Sequence, residues 1–110
     1  MSQLTSHILD TTLGKPAPGI TAILYHGGND EWTEMSRRIT NQDGRITDLI
    51  RDPLEYGIYK IRFETKDYFD KAQIATFYPY VEIIFEISSG EHYHIPLLLN
   101  PFGYSTYRGS

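Results

Sequence analysis

Apolar residues along this chain recur mainly at every second position, in short runs separated by turn residues, which is the signature of half-buried strands. Residues 4–10 place Leu4, Ser6 and Ile8 on one face and Thr5, His7 and Leu9 on the other. Gly14, Pro16, Pro18 and Gly19 end that strand in a turn-prone stretch. Residues 20–26 predict a second strand, which Gly27-Gly28-Asn29-Asp30 turns into a third over 32–40. Asp43-Gly44 is a tight-turn signal that delivers Arg45 directly after the bend. Over 58–65, Tyr59, Ile61 and Phe63 alternate with Lys60, Arg62 and Glu64. The alternation then breaks over 67–76, where Tyr68, Phe69 and Ala72 suit a short amphipathic helix that Pro79 closes off. Strand periodicity returns over 81–88, turns near Ser89-Gly90, and resumes over 92–99. Seven or eight short strands and one short helix predict a mostly β protein built as a β-sandwich.

The strand over 92–99 carries the most information. Period two assigns Tyr93, Ile95, Leu97 and Leu99 to the core face, and His92, His94, Pro96 and Leu98 to the opposite one. Both imidazoles therefore point away from the sandwich interior, beside a leucine that a lone subunit has little reason to expose. An outward face mixing histidine with apolar residues fits a subunit interface with a site in it.

With 110 residues, the chain is expected to form one domain over 1–110. Nine tyrosines, nine glycines and six prolines agree with strands and turns. A formal charge of −4, with ten basic residues scattered among fourteen acids, argues against a sequence-independent grip on nucleic acid. The absence of cysteine removes disulfides and thiolate chemistry. No apolar run approaches the roughly 20 residues of a membrane helix, and Met1-Ser2-Gln3-Leu4-Thr5-Ser6-His7 lacks a basic segment followed by an apolar one. The expected location is the cytoplasm, with no membrane partner.

His7 and His94 lie far apart in sequence, each in a short strand, and imidazoles near neutral pH can serve as base and acid. A strand histidine is also commonly just a surface or satisfied polar residue. His92 and His94 share a face and would supply two metal ligands if His7 or His26 completed a zinc site, although no His-x-x-x-His or cysteine pattern supports it. Arg45 is placed to grip a carbonyl or anionic oxygen, or to be a solvated arginine at a hairpin end. Tyr107, Arg108 and Ser110 either line a polar pocket with the terminal carboxylate or belong to a loose tail. Ser110 has no Gly-x-Ser-x-Gly elbow around it, so an activated water is the better nucleophile.

His7-Ile8-Leu9-Asp10, Gly14-Lys15-Pro16-Ala17, Thr40-Asn41-Gln42-Asp43-Gly44-Arg45, His92-Tyr93-His94-Ile95-Pro96-Leu97-Leu98-Leu99 and the closing Tyr104-Ser105-Thr106-Tyr107-Arg108-Gly109-Ser110 occur in this order over nearly the whole chain. Together they resemble the 5-hydroxyisourate hydrolases, the transthyretin-related proteins of urate breakdown. The closing Tyr-Arg-Gly-Ser is the most specific part, since it separates these enzymes from the hormone-carrying transthyretins. The resemblance implies a transthyretin-like sandwich of two four-stranded sheets with one short helix. It implies a homotetramer whose sites open at the interface between dimers, acting without metal or cofactor. The implied substrate is 5-hydroxyisourate and the implied product 2-oxo-4-hydroxy-4-carboxy-5-ureidoimidazoline, on the route toward allantoin. The site residues carried over are His7, Arg45, His94 and Ser110 for catalysis, with His7, Arg45, Tyr107 and Arg108 binding substrate. Asn100 departs from the family pattern, which leads one to expect serine before the proline. The rival readings are a non-enzymatic transthyretin-like carrier of a small hydrophobic ligand and a metal-binding sandwich domain.

Overall fold

The first strand and the strand that carries His94 lie side by side and run parallel, although most of the chain separates them. The computed structural model describes residues 2–109. Its elements are β1 Leu4–Asp10, β2 Lys15–Pro16, β3 Thr21–Gly28, β4 Glu31–Ile39, β5 Arg45–Ile46, β6 Gly57–Phe63, α1 Thr65–Lys71, β7 Val81–Ile87, β8 Tyr93–Asn100 and β9 Gly103–Thr106. One sheet has the order β4-β3-β6-β7 and is antiparallel throughout. The other has the order β2-β1-β8-β9, with β5 also paired to β1. The sandwich expected from the sequence is present, with five strands in one sheet where four were expected.

The fifth strand arises because two very short strands share one edge of β1. β5 pairs with Ser6 and His7, and β2 pairs with Leu9 and Asp10. Between them, the Ile8 amide donates to the Gly44 carbonyl at 2.8 Å, and the Ile8 carbonyl accepts from the Ala17 amide at 3.0 Å. Ile8, between the two short strands, therefore keeps both its backbone groups paired, as the cost of an unpaired buried amide requires. On its other edge β1 pairs with β8 over its whole length, from Leu4 opposite Tyr93 to Asp10 opposite Leu99.

The core lies between the sheets, where the alternating positions meet. Tyr93, Ile95, Leu97 and Leu99 are buried on β8, and Tyr59, Ile61 and Phe63 on β6. The polar partners on β6 turn outward, where Lys60 meets Glu82 at 3.2 Å and Arg62 meets Glu64 at 2.6 Å. On β3 the alternation fails, because Ala22, Ile23 and Leu24 are all buried and the ladder to β4 shifts register between Leu24 and Tyr25.

The helix starts at Thr65, two residues before the expected point, and stops at Lys71. Its end is set by Gln73, which adopts φ of 57° while its amide donates to the Asp70 carbonyl. Phe69 is buried, and the Tyr68 hydroxyl donates to Asp10 Oδ2 at 2.8 Å. Asp10 is itself buried, and its Oδ1 accepts from the Thr12 and Leu13 amides. Burial and this carboxylate push the Tyr68 phenol up to about 12, so it remains a donor throughout the neutral range. The short β9 follows a turn in which Asn100 Oδ1 accepts from the Phe102 amide at 2.9 Å.

Gly44 holds the β5 end of this arrangement. Its φ is 70°, and a Cβ there would stand 2.5 Å from the Ile8 carbonyl oxygen and 3.0 Å from the Ala17 nitrogen. Both are backbone atoms, so neither can swing away. Gly44→Ala is expected to lower unfolding free energy by at least about 2 kcal/mol, read as a lower urea midpoint at an unchanged m-value.

Candidate active site on the outer face of the β1–β8 sheet

The register between β1 and its neighbours decides which side chains share the outer face. His7 lies opposite Arg45 of β5, and Thr5 lies opposite His94 of β8. Opposed residues have Cβ atoms about 5 Å apart and diagonal ones about 7–8 Å, so His7, Arg45, Thr5 and His94 fall within reach of one small molecule. A cavity of about 240 Å³ opens here, lined by Thr5, Ser6, Arg45, Ile46, Thr47, His92 and His94. His7 is half-buried on the same face, across from Arg45.

Each imidazole is held by specific contacts. Thr5 Oγ1 lies 2.8 Å from His94 Nδ1 and 2.9 Å from His92 Nε2, so one hydroxyl joins both rings. Behind His94 the Gly109 amide donates to the His94 carbonyl at 2.8 Å, and the two residues form an isolated antiparallel bridge. A Cβ on Gly109 would come within 2.6 Å of His94 Cδ2 and 3.3 Å of Pro96 Cγ, so only glycine allows this approach to the ring.

Burial and like charge act on both histidines in the same direction. His94 is held below the ordinary histidine range first by burial, then by the neighbouring His92, Arg45 and His7. His7 is lowered first by burial and then by the Arg45 guanidinium, with the backbone and carboxylate of Asp43 opposing the fall. Near pH 7 the face therefore presents two neutral imidazoles beside one permanent cation. Neutral imidazoles accept protons, and a guanidinium stabilises an oxygen that gains negative charge.

The structure brings His7, Arg45 and His94 together and sets other candidates apart. Tyr107 and Arg108 line a second cavity of about 300 Å³ with Ile83, Phe85, Tyr93 and Ile95, at the open edge between the sheets. There Arg108 donates to Glu91 Oε1 at 2.6 Å and its guanidinium lies 4.3 Å over the Tyr93 ring. Within one chain, these two residues do not line the cavity beside His94. Ser110 lies outside the described residues. His26 belongs to the other sheet, where it stacks on Tyr59 with ring centroids 4.5 Å apart. Among the described residues no three His, Cys, Asp or Glu side chains gather closely enough to hold a metal ion. The sequence reading assigned no role to Thr5. Period two had already placed Thr5 with His7, and His92 with His94, so the missing information was the parallel register that makes the two pairs neighbours.

The chain is similar to known proteins over almost its whole length. The HIUase/transthyretin family model matches residues 4–109. A 5-hydroxyisourate hydrolase of Salmonella dublin is 45% identical over 97% of this chain and 80% of its own length. The structure of Klebsiella pneumoniae 5-hydroxyisourate hydrolase superimposes with a TM-score of 0.89 at 38% identity, covering 97% of this chain and 98% of that one. Sea bream transthyretin in complex with thyroxine superimposes with a TM-score of 0.91 at 30% identity, covering 97% and 94%. With its strand order, its outward histidines and a match spanning almost every residue, the chain belongs to the HIUase/transthyretin family.

Proposed function

We propose that this chain hydrolyses 5-hydroxyisourate, opening its six-membered ring to give 2-oxo-4-hydroxy-4-carboxy-5-ureidoimidazoline. The observation that carries this reading is the pairing of neutral His7 and His94 with the Arg45 guanidinium on one open face. His7 and His94 position a water, and one of them takes its proton as the oxygen attacks the ring carbonyl carbon. Arg45 faces the carbonyl oxygen as it becomes an oxyanion. When that intermediate collapses, the ring C–N bond breaks and the nitrogen receives the proton held by the imidazolium. A positioned base and an oxyanion partner each lower the barrier by roughly 2 to 5 kcal/mol. Ser110 orients the water or substrate by hydrogen bonding, and Tyr107 and Arg108 complete the pocket.

The reading includes a homotetramer whose sites open where two dimers meet. Leu98 supports it, standing half-buried on the histidine face of β8, as does the outward position of the histidines themselves. In one chain Tyr107 and Arg108 stand away from the His94 cavity, so their part depends on how chains assemble. The polar character of the face favours a hydrolase over a carrier of hydrophobic ligands.

His94→Ala or Arg45→Ala should each lower kcat/KM by about 10² or more with the unfolding midpoint little changed. The check is the ultraviolet absorbance decay of freshly made 5-hydroxyisourate, with light scattering to follow assembly. Near wild-type rates in both variants would remove the proposed site.

A pH profile tests the electrostatics. Because both histidines are lowered, the basic, active form persists as pH falls through the ordinary histidine value of 6.5. The acid limb of kcat/KM is expected below pH 6.5, and removing the cation in Arg45→Gln should move it upward. An acid limb above pH 6.5 in the unaltered protein would contradict the assignment.

A further inference from the structure

We propose that the Thr5 hydroxyl fixes His94 as its Nδ1–H tautomer and joins it to His92, making Thr5 and His92 positioning residues of the site. The inference rests on the hydrolase reading for its consequence in turnover, but not for the tautomer itself.

A threonine hydroxyl carries one proton and two lone pairs, so it can donate one hydrogen bond while accepting another. Thr5 Oγ1 stands 2.8 Å from His94 Nδ1 and 2.9 Å from His92 Nε2. One assignment satisfies both contacts while leaving His94 a base: His94 Nδ1–H donates to Oγ1, and Oγ1–H donates to His92 Nε2. His94 Nε2, which has no hydrogen-bond partner among the described residues, then keeps its lone pair for a water in the cavity that His94 lines. The opposite tautomer would place a proton on Nε2 and leave no lone pair there to accept one.

The contact is built into the sheet. Thr5 is 9% exposed on β1 and opposite His94 in the β1–β8 register, so its β-branched side chain has little rotamer freedom. The His92 and His94 rings lie 6.4 Å apart at 20° to one another, which suits a single oxygen between them. His92 is exposed, so the chain of hydrogen bonds runs from the cavity to solvent. When His94 Nε2 takes a proton, Nδ1–H can pass to Oγ1 as the Thr5 proton passes to His92 Nε2. One positive charge then moves from His94 to His92, with no atom gained or lost.

Among the described residues the charged and titratable groups that face His94 are His92 just before β8, His7 from β1 and Arg45 from β5, while the C-terminal segment presents the Gly109 backbone. Among the described residues the partner of His94 Nδ1 is the Thr5 hydroxyl, and that contact selects the tautomer.

Nitrogen-15 NMR of the imidazole rings in the unaltered protein tests the assignment directly. The expected result is His94 protonated at Nδ1 and unprotonated at Nε2 above its titration; Nε2–H as the main form would overturn the proposal. Thr5→Val keeps the β-branched shape and removes the hydroxyl. It should mix the His94 tautomers and lower kcat about 10-fold or more with KM little changed, while Thr5→Ser stays within about 2-fold of the original. His92→Phe should move the acid limb of the pH profile without abolishing turnover. Unchanged tautomer and kcat in Thr5→Val would overturn the proposal. An unaltered protein that shows Nδ1–H at His94 yet fails to accelerate 5-hydroxyisourate decay would defeat the hydrolase reading while leaving the bridge standing.

Discussion

The parallel pairing of β1 with β8 is the constraint on which the rest of this molecule depends. Its seven registered pairs join the start of the chain to a strand near its end, across everything from the first turn to the second histidine-bearing segment. Parallel pairing cannot be closed by a tight turn, so it forms only when the chain between the two strands has passed through β3, β4, β6 and β7 of the other sheet and returned. The reward for that long closure is a core face of Leu4, Ile8, Ile95, Leu97 and Leu99 buried against the other sheet. A slip of one residue would send His94 inward and Ile95 outward, removing site and core together. Stability and function are therefore bound to the same register.

Much of this was legible from alternation. The bounds of β1, the burial of Tyr93, Ile95, Leu97 and Leu99, and the outward turn of His94 all follow from period two, which a half-buried strand imposes without reference to distant parts of the chain. The bend that delivers Arg45 was legible because Asp43-Gly44 signals a turn whose glycine needs a positive φ, and the structure has it at 70°. Where the sequence misled or was silent, the controlling interaction was remote. β2 and β5 are two residues each, too short for any periodicity, and exist because β1 offers an unpaired edge. The helix start slipped to Thr65 because Glu64, at its N-cap, makes no side-chain capping bond that local chemistry would reveal.

The same distinction separates the site residues that could be read from those that could not. His7 and His94 announce themselves by residue type, while Thr5 is unremarkable until the register places its hydroxyl between two imidazoles. Arg108 shows the converse. The family resemblance assigned Arg108 to the substrate pocket, but consecutive residues of an extended segment point to opposite sides. Gly109 packs on the His94 ring while Arg108 reaches Glu91 and Tyr93 on the other side of the strand. The terminal segment thus contacts both faces of β8 at once, through the Gly109–His94 backbone bridge on one and the Arg108 side chain on the other.

Solvent gives the assembly proposed here a further physical reason. In a single chain Arg45 is exposed and the face of His7 and His94 is open, so the guanidinium acts through water. Two unit charges 4 Å apart interact by about 1 kcal/mol in bulk water and about 4 kcal/mol at the effective dielectric near a protein surface. Covering the face with another copy would strengthen the hold of Arg45 on an oxyanion by a comparable factor. It would also push both imidazoles further toward the neutral form, because burial and the same cation already act on them in that direction. Association would then improve base and oxyanion partner together, so a variant confined to single chains should lose turnover even with every site residue intact.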